Sequence, residues 1–302
     1  MLSNKNFLIT GATGRLGCET VARLEQLGAE VVPVVLEGYP SKPKRVQFRA
    51  STDPIKVDNI TDLRDIEAPD YVINFHWVLD RKLSYSSQLL YELSHSLHRL
   101  SFFWDWLKGV SCKRFVNISS TKVFSHLNGD LISSNTEPRP VSPYGIAKLT
   151  AEKFLDAYFH ASGFPVVHLY LCSVAAFGGH HTQIMDRLLR SCYENEHIDI
   201  NAGHTMNIMY IDEVIDMIIN AALISNKERY ILAPPPTSVG EIASRFEEIS
   251  GMKLNATYVN SNPRVADPAF ESDHELLRTG WTRHASLAAM IKEIINQHLY
   301  TQ

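Results

Sequence analysis

The sequence of 302 residues predicts an α/β fold, in which a doubly wound parallel sheet is joined by a smaller, interleaved C-terminal domain. Five short apolar runs lack the polar alternation of half-solvated strands, which is typical of parallel strands buried on both faces. Helix-length segments separate these runs, and that alternation favours crossovers within one parallel sheet. The runs are NFLIT (6–10), EVVPVVL (30–36), DYVINF (70–75), RFVNI (114–118) and PVVHLYLC (165–172).

The pattern loosens after residue 175. Single cores stop growing at about 250–300 residues, so this length favours a large domain with a smaller companion. The segment APPPTSVG (233–240) breaks the pattern, and SLAAMIKEIINQHL (286–299) predicts a final amphipathic helix capped by its serine. We expect a first domain over 1–174, joined by 205–225, and a second domain over 175–302.

One predicted helix carries more apolar residues than a single buried face needs. One face would cover the sheet and the other would meet a partner, which predicts a homodimer through this helix and the helix that begins near Tyr144. The alternative is that both faces are buried within the monomer. The main stripe is Leu90, Leu93, Leu97, Leu100, Trp104 and Leu107, and Leu89 and Phe103 form a second apolar side.

Composition and charge exclude several classes of protein. The apolar fraction of 45%, the charged fraction of 21% and the formal net charge of −4 give no basic footprint for nucleic acid or an anionic membrane. No apolar run approaches the roughly 20 residues that span a bilayer. The N-terminus lacks the long apolar core of a signal peptide, and Cys18, Cys112, Cys172 and Cys192 are widely spaced without a Cys-x-x-Cys. We therefore expect a cytoplasmic protein.

The first candidate site is ITGATGRLGCETVARL (9–24). Gly11, Gly14 and Gly17 fall between a predicted strand and a predicted helix. Glycines in this context permit a tight turn and backbone contact with a pyrophosphate, and the helix N-terminus offers unpaired N–H groups. The alternative is a strand-to-helix turn with no ligand.

The second candidate site is PYGIAK, in which Tyr144 and Lys148 are four residues apart. Residues at this spacing share a helical face, so the ammonium can lower the pKa of the phenol. That makes the tyrosine a usable proton donor. A surface pair is the alternative, because this spacing is common by chance.

Together these motifs resemble the extended short-chain dehydrogenase/reductase family, also called the NAD-dependent epimerase/dehydratase family. SSTKVF follows the fourth of the five strand-like runs, and Tyr144 of PYGIAK lies 24 residues after Ser120. The segments GHTMNIMYIDEVIDMIINAAL (203–223) and LLRTGWTRHASL (276–287) extend the likeness. The resemblance implies a Rossmann-type fold in which Ser120, Tyr144 and Lys148 form the catalytic set. It also implies that NAD or NADP is held by Gly11, Thr13, Gly14, Arg15, Leu16, Gly17, Asp58, Ser119, Tyr144 and Lys148. Asp58 alone has a loop-capping role as its alternative.

In the implied chemistry, Tyr144 protonates a carbonyl oxygen as hydride arrives from the nicotinamide. Lys148 keeps the phenol acidic and binds the nicotinamide ribose. Ser120 holds the same carbonyl oxygen and stabilises the charge that develops on it.

Departures from the family separate its reactions. The 4,6-dehydratases carry Asp and Glu after the catalytic hydroxyl residue, whereas this chain has Thr121 and Lys122, so dehydration is disfavoured. Members that epimerise beside the ketone place a Cys at the position of Lys122. What remains is reduction of a 4-keto sugar nucleotide, which we favour, or oxidation and re-reduction by a C4 epimerase. A nucleotide-binding regulator without turnover is a third hypothesis.

Other departures concern the pocket. Two small residues usual in the family are replaced by His76 and Trp77, which together with Lys122 become candidate substrate contacts. A buried structural histidine is the favoured alternative for His76. Met206 and Tyr170 replace arginines. Either a diphosphate is bound by Arg187, Arg190 or Lys122, or the substrate is not a nucleotide sugar. The histidines of GGHH (178–181) point in different directions and have no acidic partner nearby, so we predict a loop and no metal.

The choice between NAD and NADP depends on the end of the second strand. Glu37 lies late for a contact with the ribose 2′-hydroxyl. Basic residues could instead receive a 2′-phosphate, which favours NADPH over NADH, with a solvated basic loop as the alternative. These residues are Arg15, Lys42, Lys44 and Arg45.

Overall fold

A computed structural model describes most of the chain. The described residues are 2–36, 52–57, 60–79, 82–124, 131–160, 163–178, 183–259, 268–273, 276 and 286–300. Several residues singled out above therefore lie outside the described residues, namely Glu37, Lys42, Lys44, Arg45, Asp58 and the two histidines of GGHH.

Strands and helices alternate through the first two thirds of the chain. The strands are β1 (Asn6–Thr10), β2 (Glu30–Leu36), β3 (Ile55–Val57), β4 (Tyr71–Asn74), β5 (Arg114–Ser120), β6 (Val166–Leu171), β7 (Ser173–Ala175), β8 (Ile198–Asn201), β9 (Thr205–Met206), β10 (Ile208–Tyr210), β11 (Arg229–Leu232), β12 (Thr237–Ser238) and β13 (Ala256–Val259). The helices are α1 (Arg15–Gln26), α2 (Tyr85–Glu92), α3 (His98–Lys108), α4 (Pro143–His160), α5 (Ile184–Tyr193), α6 (Ile211–Ile224), α7 (Val239–Ser250) and α8 (Leu287–Leu299).

A seven-stranded parallel sheet organises the molecule, in the order β11-β6-β5-β4-β1-β2-β3. The chain winds outward from β1 through β2 and β3, and in the opposite direction from β4 through β5 and β6. This reversal confirms the predicted doubly wound fold. It also opens a crevice at the carboxyl ends of β1 and β4, where ligands bind in folds of this kind.

Both faces of the sheet are covered, as the continuous apolar runs predict. On β1, Phe7 and Ile9 pack in the cluster that includes α1 and α6, whereas Leu8 between them packs in the opposite cluster with α3 and α4. All three side chains are fully buried. The five predicted strands are confirmed within two residues at each end.

A row of polar side chains crosses the middle of this apolar sheet. Thr10, Asn74, Asn117 and His168 are cross-strand partners on adjacent strands. Thr10 Oγ1 donates to Asn74 Oδ1 at 2.6 Å, and Asn74 Nδ2 donates to Asn117 Oδ1 at 3.0 Å. Asn117 Nδ2 continues the row to His168 Nδ1 at 3.2 Å. Because a one-residue slip would leave buried amides unpaired, this row fixes the strand register.

The leucine-rich helix is interrupted by a wide π-helical turn at Leu93–Leu97. Beyond this turn, Leu100, Trp104 and Leu107 are fully buried, as expected for the face that covers the sheet. Before it, Leu90 is 68% exposed. A π turn carries an extra residue and shifts the helical face, so the leucine stripe does not stay on one side.

The C-terminal part builds three two-stranded units, β7 with β10, β8 with β13 and β9 with β12. The final helix is confirmed as α8, and Ser286 Oγ accepts from the backbone N–H of Ala289 at 3.2 Å, as the predicted cap requires. The division into 1–174 and 175–302 stays a prediction. Among the described helices, none is long and apolar enough to cross a membrane.

Candidate functional site

A cleft of about 1200 Å³ lies at the carboxyl ends of the central strands. Ser120 ends β5, Tyr144 and Lys148 project from the first two turns of α4, and the glycine turn follows β1. All of these line the same cleft, so the structure brings the two predicted sites together.

The glycine turn is shaped by contacts that exclude a side chain. Gly11 has a φ of +67°, and a Cβ there would lie 2.8 Å from the backbone nitrogen of His76. A Cβ on Gly17 would collide with the carbonyl oxygen of Gly11. The turn therefore packs tightly against the end of β4 and the start of α1, which leaves backbone on its open side.

Helix α1 begins in this cleft without a side-chain cap. Its N-cap is Gly14, which has no side chain to accept from the first N–H groups. Uncapped N–H groups at a helix N-terminus suit an anion such as a phosphate. Arg15 and Leu16 line the cleft beside them, and Arg15 Nη1 donates to Glu19 Oε1 at 3.2 Å.

The two serines at the end of β5 differ in their surroundings. Ser120 Oγ accepts from the backbone N–H of Lys122 at 3.3 Å, within the short helical turn Thr121–Phe124. Ser119 Oγ is buried and has no hydrogen-bond partner among the described residues. Both serines line the cleft. A buried hydroxyl of this kind is one that a bound ligand would satisfy.

Helix α4 can approach this turn because residue 145 is glycine. A Cβ at Gly145 would lie 2.5 Å from the carbonyl oxygen of Lys122 and 2.9 Å from Pro140 Cβ. The missing side chain lets the helix that carries Tyr144 lie directly against the turn that follows Ser120.

Tyr144 and Lys148 share one face of α4, as their spacing predicts. Lys148 Nζ lies 5.8 Å from the centre of the Tyr144 ring and donates to the carbonyl oxygen of Ile118 at 3.0 Å. Lys148 is 6% exposed. Burial lowers the pKa of its ammonium to about 7, and the charge of Glu92 opposes that effect. A lysine in this state can exchange its proton near neutral pH.

Trp77 lies over this lysine. The ammonium of Lys148 is 4.0 Å from the centre of the indole ring, a distance typical of a cation–π contact. The indole Nε1–H donates to Glu92 Oε2 at 3.0 Å. The bulk that the sequence places after β4 therefore forms a wall of the cleft beside Lys148.

The basic residues predicted for a diphosphate also line the cleft. Arg190 binds the carboxylates of Asp186 and Glu196. Arg187 donates from Nη2 to the carbonyl oxygen of Asp199 at 3.0 Å, and it has no carboxylate partner in the described part of the chain. Lys122 is exposed at the rim. Arg187 is thus better placed than Arg190 to receive an anion.

Four predicted residues have positions that bear on their roles. Thr13 belongs to the glycine turn but is not among the residues that line the cleft, and neither is His76, which is 3% exposed. Burial favours the structural role for His76. Met206 lines the cleft, whereas Tyr170 is buried away from it and donates to Glu152 Oε1 at 2.7 Å.

The sequence patterns did not single out Glu92 or Asn207. Glu92 is a fully buried carboxylate. The sequence signal for Glu92 is its spacing: it lies four positions before Ser96 and eight before Leu100, on the face of the helix that is buried. Asn207 lines the cleft, and its side-chain oxygen is buried without a hydrogen-bond partner among the described residues. No sequence signal marks that amide.

A histidine and two carboxylates lie close enough to hold a metal ion, namely His168, Asp156 and Glu152. The guanidinium of Arg229 lies 3.0 Å from Glu152 and 3.9 Å from Asp156. Because Arg229 pairs with both carboxylates and His168 bonds to Asp156, the group forms an ion-pair network.

Comparison with known protein families adds one match. The profile of the NAD dependent epimerase/dehydratase family matches residues 7–232, about three quarters of the chain.

Two curated proteins are similar in sequence. A CDP-abequose synthase of Yersinia pseudotuberculosis is 28% identical over 50% of this chain, and the match spans 53% of that protein. An uncharacterized UDP-glucose epimerase of Bacillus subtilis, YtcB, is 22% identical over 87% of both chains.

Solved structures confirm the Rossmann-type fold. A UDP-glucose 4-epimerase of Thermotoga maritima, solved with UDP-glucose, has a TM-score of 0.81 at 18% identity and covers 97% of this chain and 99% of its own. A UDP-glucuronic acid 4-epimerase of Bacillus cereus, solved with UDP-glucuronic acid and NAD, has a TM-score of 0.77 at 20% identity, with coverage of 97% and 99%.

Proposed function

Because the chain belongs to the NAD dependent epimerase/dehydratase family, we propose that it transfers hydride at C4 of a sugar nucleotide, with net reduction of a 4-keto sugar as the leading reaction. The observation that carries the proposal is the cleft itself. Ser120, Tyr144 and Lys148 line it together with the glycine turn, so proton donor and cofactor cradle face one volume.

In this reaction Tyr144 is the proton donor to the carbonyl oxygen. Lys148 holds a positive charge beside the phenol, which lowers the pKa of a neighbouring acid. Ser120 presents a hydroxyl at the end of β5 that can hold the same oxygen as charge develops on it. Each role needs only a residue that already lines the cleft.

The residues of the glycine turn fit a dinucleotide. Gly11, Gly14 and Gly17 leave backbone exposed to a pyrophosphate, and Ser119 offers a buried hydroxyl without a partner among the described residues. When bound, the nicotinamide supplies the hydride. NAD is supported by the family and by the NAD-bound neighbours.

A preference for NADPH remains the sequence-based prediction, and Arg15 is the residue in the described chain that can test it. Its guanidinium lies in the glycine turn, where a 2′-phosphate could reach it. Comparison of kcat/KM with NADPH and with NADH, in the native protein and in Arg15→Ala, checks the prediction. A ratio that favours NADH in the native protein would reverse it.

Two observations bear on the nature of the sugar nucleotide: the compounds named for related proteins and the basic residues that line the cleft. Related proteins carry the names of CDP-abequose and UDP-glucose, and solved neighbours hold UDP-glucose or UDP-glucuronic acid. We assign the diphosphate to Arg187, with Lys122 at the rim, since guanidinium and ammonium groups favour phosphate. Thr121 and Lys122 stand where a dehydratase needs carboxylates, which argues against elimination of water.

C4 epimerisation is the second candidate and is as well supported, because YtcB and the solved neighbours named above are described as epimerases. The two reactions share every residue role and differ in whether cofactor is consumed. Incubation of the purified protein with a panel of 4-keto sugar nucleotides and NAD(P)H, and in parallel with 4-hydroxy sugar nucleotides without added cofactor, separates them. A reductase oxidises NAD(P)H, so the absorbance of the reduced nicotinamide falls in proportion to the product. An epimerase purifies with NAD and interconverts hydroxyl sugars without consumption of added cofactor.

We also propose a homodimer that forms through α2 and α4. Leu90 on α2 is 68% exposed and Phe154 on α4 is 42% exposed, and the two helices pack side by side. Exposed apolar side chains that cluster on neighbouring helices are typical of a protein interface. Sedimentation at micromolar concentration should give a dimer, and a monomer would contradict the assignment.

A further inference from the structure

Glu92 is a buried carboxylate that does not line the cleft but binds Trp77, which does. Glu92 is fully buried at the end of α2, where the π-helical turn begins. Its two oxygens accept from Trp77 Nε1 at 3.0 Å and from Gln88 Nε2 at 2.7 Å. A buried carboxylate is costly unless it is hydrogen-bonded and balanced by a cation. Both bonds here come from neutral donors, so the balancing cation must be sought further away.

That cation is Lys148, whose ammonium lies over the face of the indole ring that Glu92 binds at its N–H edge. Trp77 contacts both groups, with its ring face 4.0 Å from the ammonium and its N–H on the carboxylate. The other groups packed around the ammonium are the carbonyl oxygen of Ile118 from β5 and the phenol of Tyr144 from α4. Among these neighbours, Glu92 is the one carboxylate.

The loop that carries Trp77 is tied to the same turn at a second point. Ser96 Oγ accepts from the backbone N–H of Val78 at 3.0 Å, and Ser96 is fully buried like Glu92. Glu92 and Ser96 are four residues apart, so the π-helical turn presents both inward. The turn therefore holds the loop after β4 through one charged group and one neutral group.

We infer that Glu92 is a positioning residue of the proposed active site: it is the buried countercharge that keeps Lys148 cationic, and it holds the indole of Trp77 against that ammonium. The inference rests on the proposed function for the role of Lys148. The arrangement itself stands on the contacts among these three side chains. The charge of Glu92 raises the pKa of Lys148 against the stronger opposing effect of burial, in agreement with the geometry.

The test is a pH titration of Lys148 in the protein without cofactor, followed by NMR of lysine labelled with ¹³C at Cε. The Lys148 signal is assigned by its loss in Lys148→Met. In the native protein we expect a midpoint near 7. In Glu92→Gln the midpoint should fall by roughly one pH unit, since an opposite charge nearby shifts a pKa by about that much or more. An unchanged midpoint would overturn the inference.

Two further variants keep the test decisive. Glu92→Met removes the same charge with an apolar side chain of similar length, and Lys148 can then release its proton, so no unpaired ion need remain buried. It should lower the midpoint equally and accelerate hydrogen exchange of the Trp77 indole N–H. Ser96→Ala is the matched control, because it removes the neutral tie of the same loop and should leave the midpoint in place. An equal shift in Ser96→Ala would mean that loosening of the loop, and not charge, is responsible.

Turnover gives an independent readout once a substrate is known. Loss of the Lys148 proton should end activity at high pH, so in Glu92→Gln the alkaline limb of kcat/KM should move down by the same amount as the NMR midpoint. A purely structural role would lower kcat/KM without moving the limb. If no keto-sugar nucleotide is turned over, the proposed function fails while the NMR titration still decides the role of Glu92.

Discussion

Two lysines line the same cleft in opposite surroundings. Lys148 is buried, bonded to a carbonyl oxygen and covered by an indole, whereas Lys122 is exposed on the turn after β5. Burial brings the pKa of Lys148 to about 7. The comparison shows that one cleft holds both a buried lysine with a lowered pKa and a solvated lysine at its rim. The residue type is identical, and the surroundings decide the role.

The largest expected effect is at the buried end. Tyr144→Phe removes the proposed proton donor and should lower turnover by about two to four decades, the usual size of an acid–base contribution. Steady-state kinetics on the substrate found in the panel measures it. Tyr258→Phe is the matched control, because Tyr258 lies half exposed on β13 and does not line the cleft. A Tyr144→Phe protein with native turnover would exclude the assignment.

The second effect concerns the stability cost of Lys148. A free lysine holds its proton up to pH 10.5, whereas Lys148 releases it above about pH 7, so unfolding takes up a proton between these values. The cost of the buried charge is therefore full below pH 7 and disappears as pH rises to 10.5. Lys148→Met removes this titration, so the Tm of the variant should rise less than that of the native protein between pH 7 and 10.5.

Calorimetry across that pH range checks the prediction. Lys122→Met is the control, since replacement of an exposed side chain has little effect on stability. A difference in Tm between Lys148→Met and the native protein that stays constant with pH would show that the buried charge has no such cost.

The third effect concerns the contact between α4, which carries Tyr144 and Lys148, and the turn that carries Lys122. Gly145→Ala places a Cβ 2.5 Å from the carbonyl oxygen of Lys122. Overpacking of this kind typically costs about 1–3 kcal/mol. We expect denaturant unfolding to show that loss, together with reduced turnover as α4 moves from the turn. Gly203→Ala is the control, because a Cβ at Gly203 meets nothing within 4 Å. Equal stability of the two variants would contradict the packing.

The smallest effect is at the rim. Arg187→Ala should raise KM roughly tenfold with little change in kcat, because it removes one charged contact that binds ground and transition states alike. Arg245→Ala on α7 is the control, since Arg245 pairs with Glu248 outside the cleft. A fall in kcat at constant KM would place Arg187 in the chemistry instead of in binding.

The sequence predicted the sheet and the convergence of its motifs because both follow from local rules. Continuous apolar runs such as 6–10 and 30–36 match β1 and β2 exactly in extent. Parallel strands end at one edge, so Ser120 and the glycine turn had to meet there, and the four-residue spacing had to place Tyr144 with Lys148.

The rest depended on tertiary contacts that no local pattern contains. The leucine stripe predicted Leu90 on the same face as Leu100, but the π-helical turn between them shifts that face. For the same reason Glu92 and Ser96 point inward, which the periodicity of the helix does not predict. Trp77 was recognised as bulk in the pocket, but its contact with Lys148 joins residues 71 positions apart in the chain.

The most direct test of hydride transfer to C4 of the sugar uses the purified protein with a 4-keto sugar nucleotide and NAD(P)H whose two C4 hydrogens on the nicotinamide are deuterium. Net reduction predicts a product that carries one deuterium at C4, formed with one equivalent of oxidised cofactor. A product without deuterium, formed with no consumption of added cofactor, would contradict reduction.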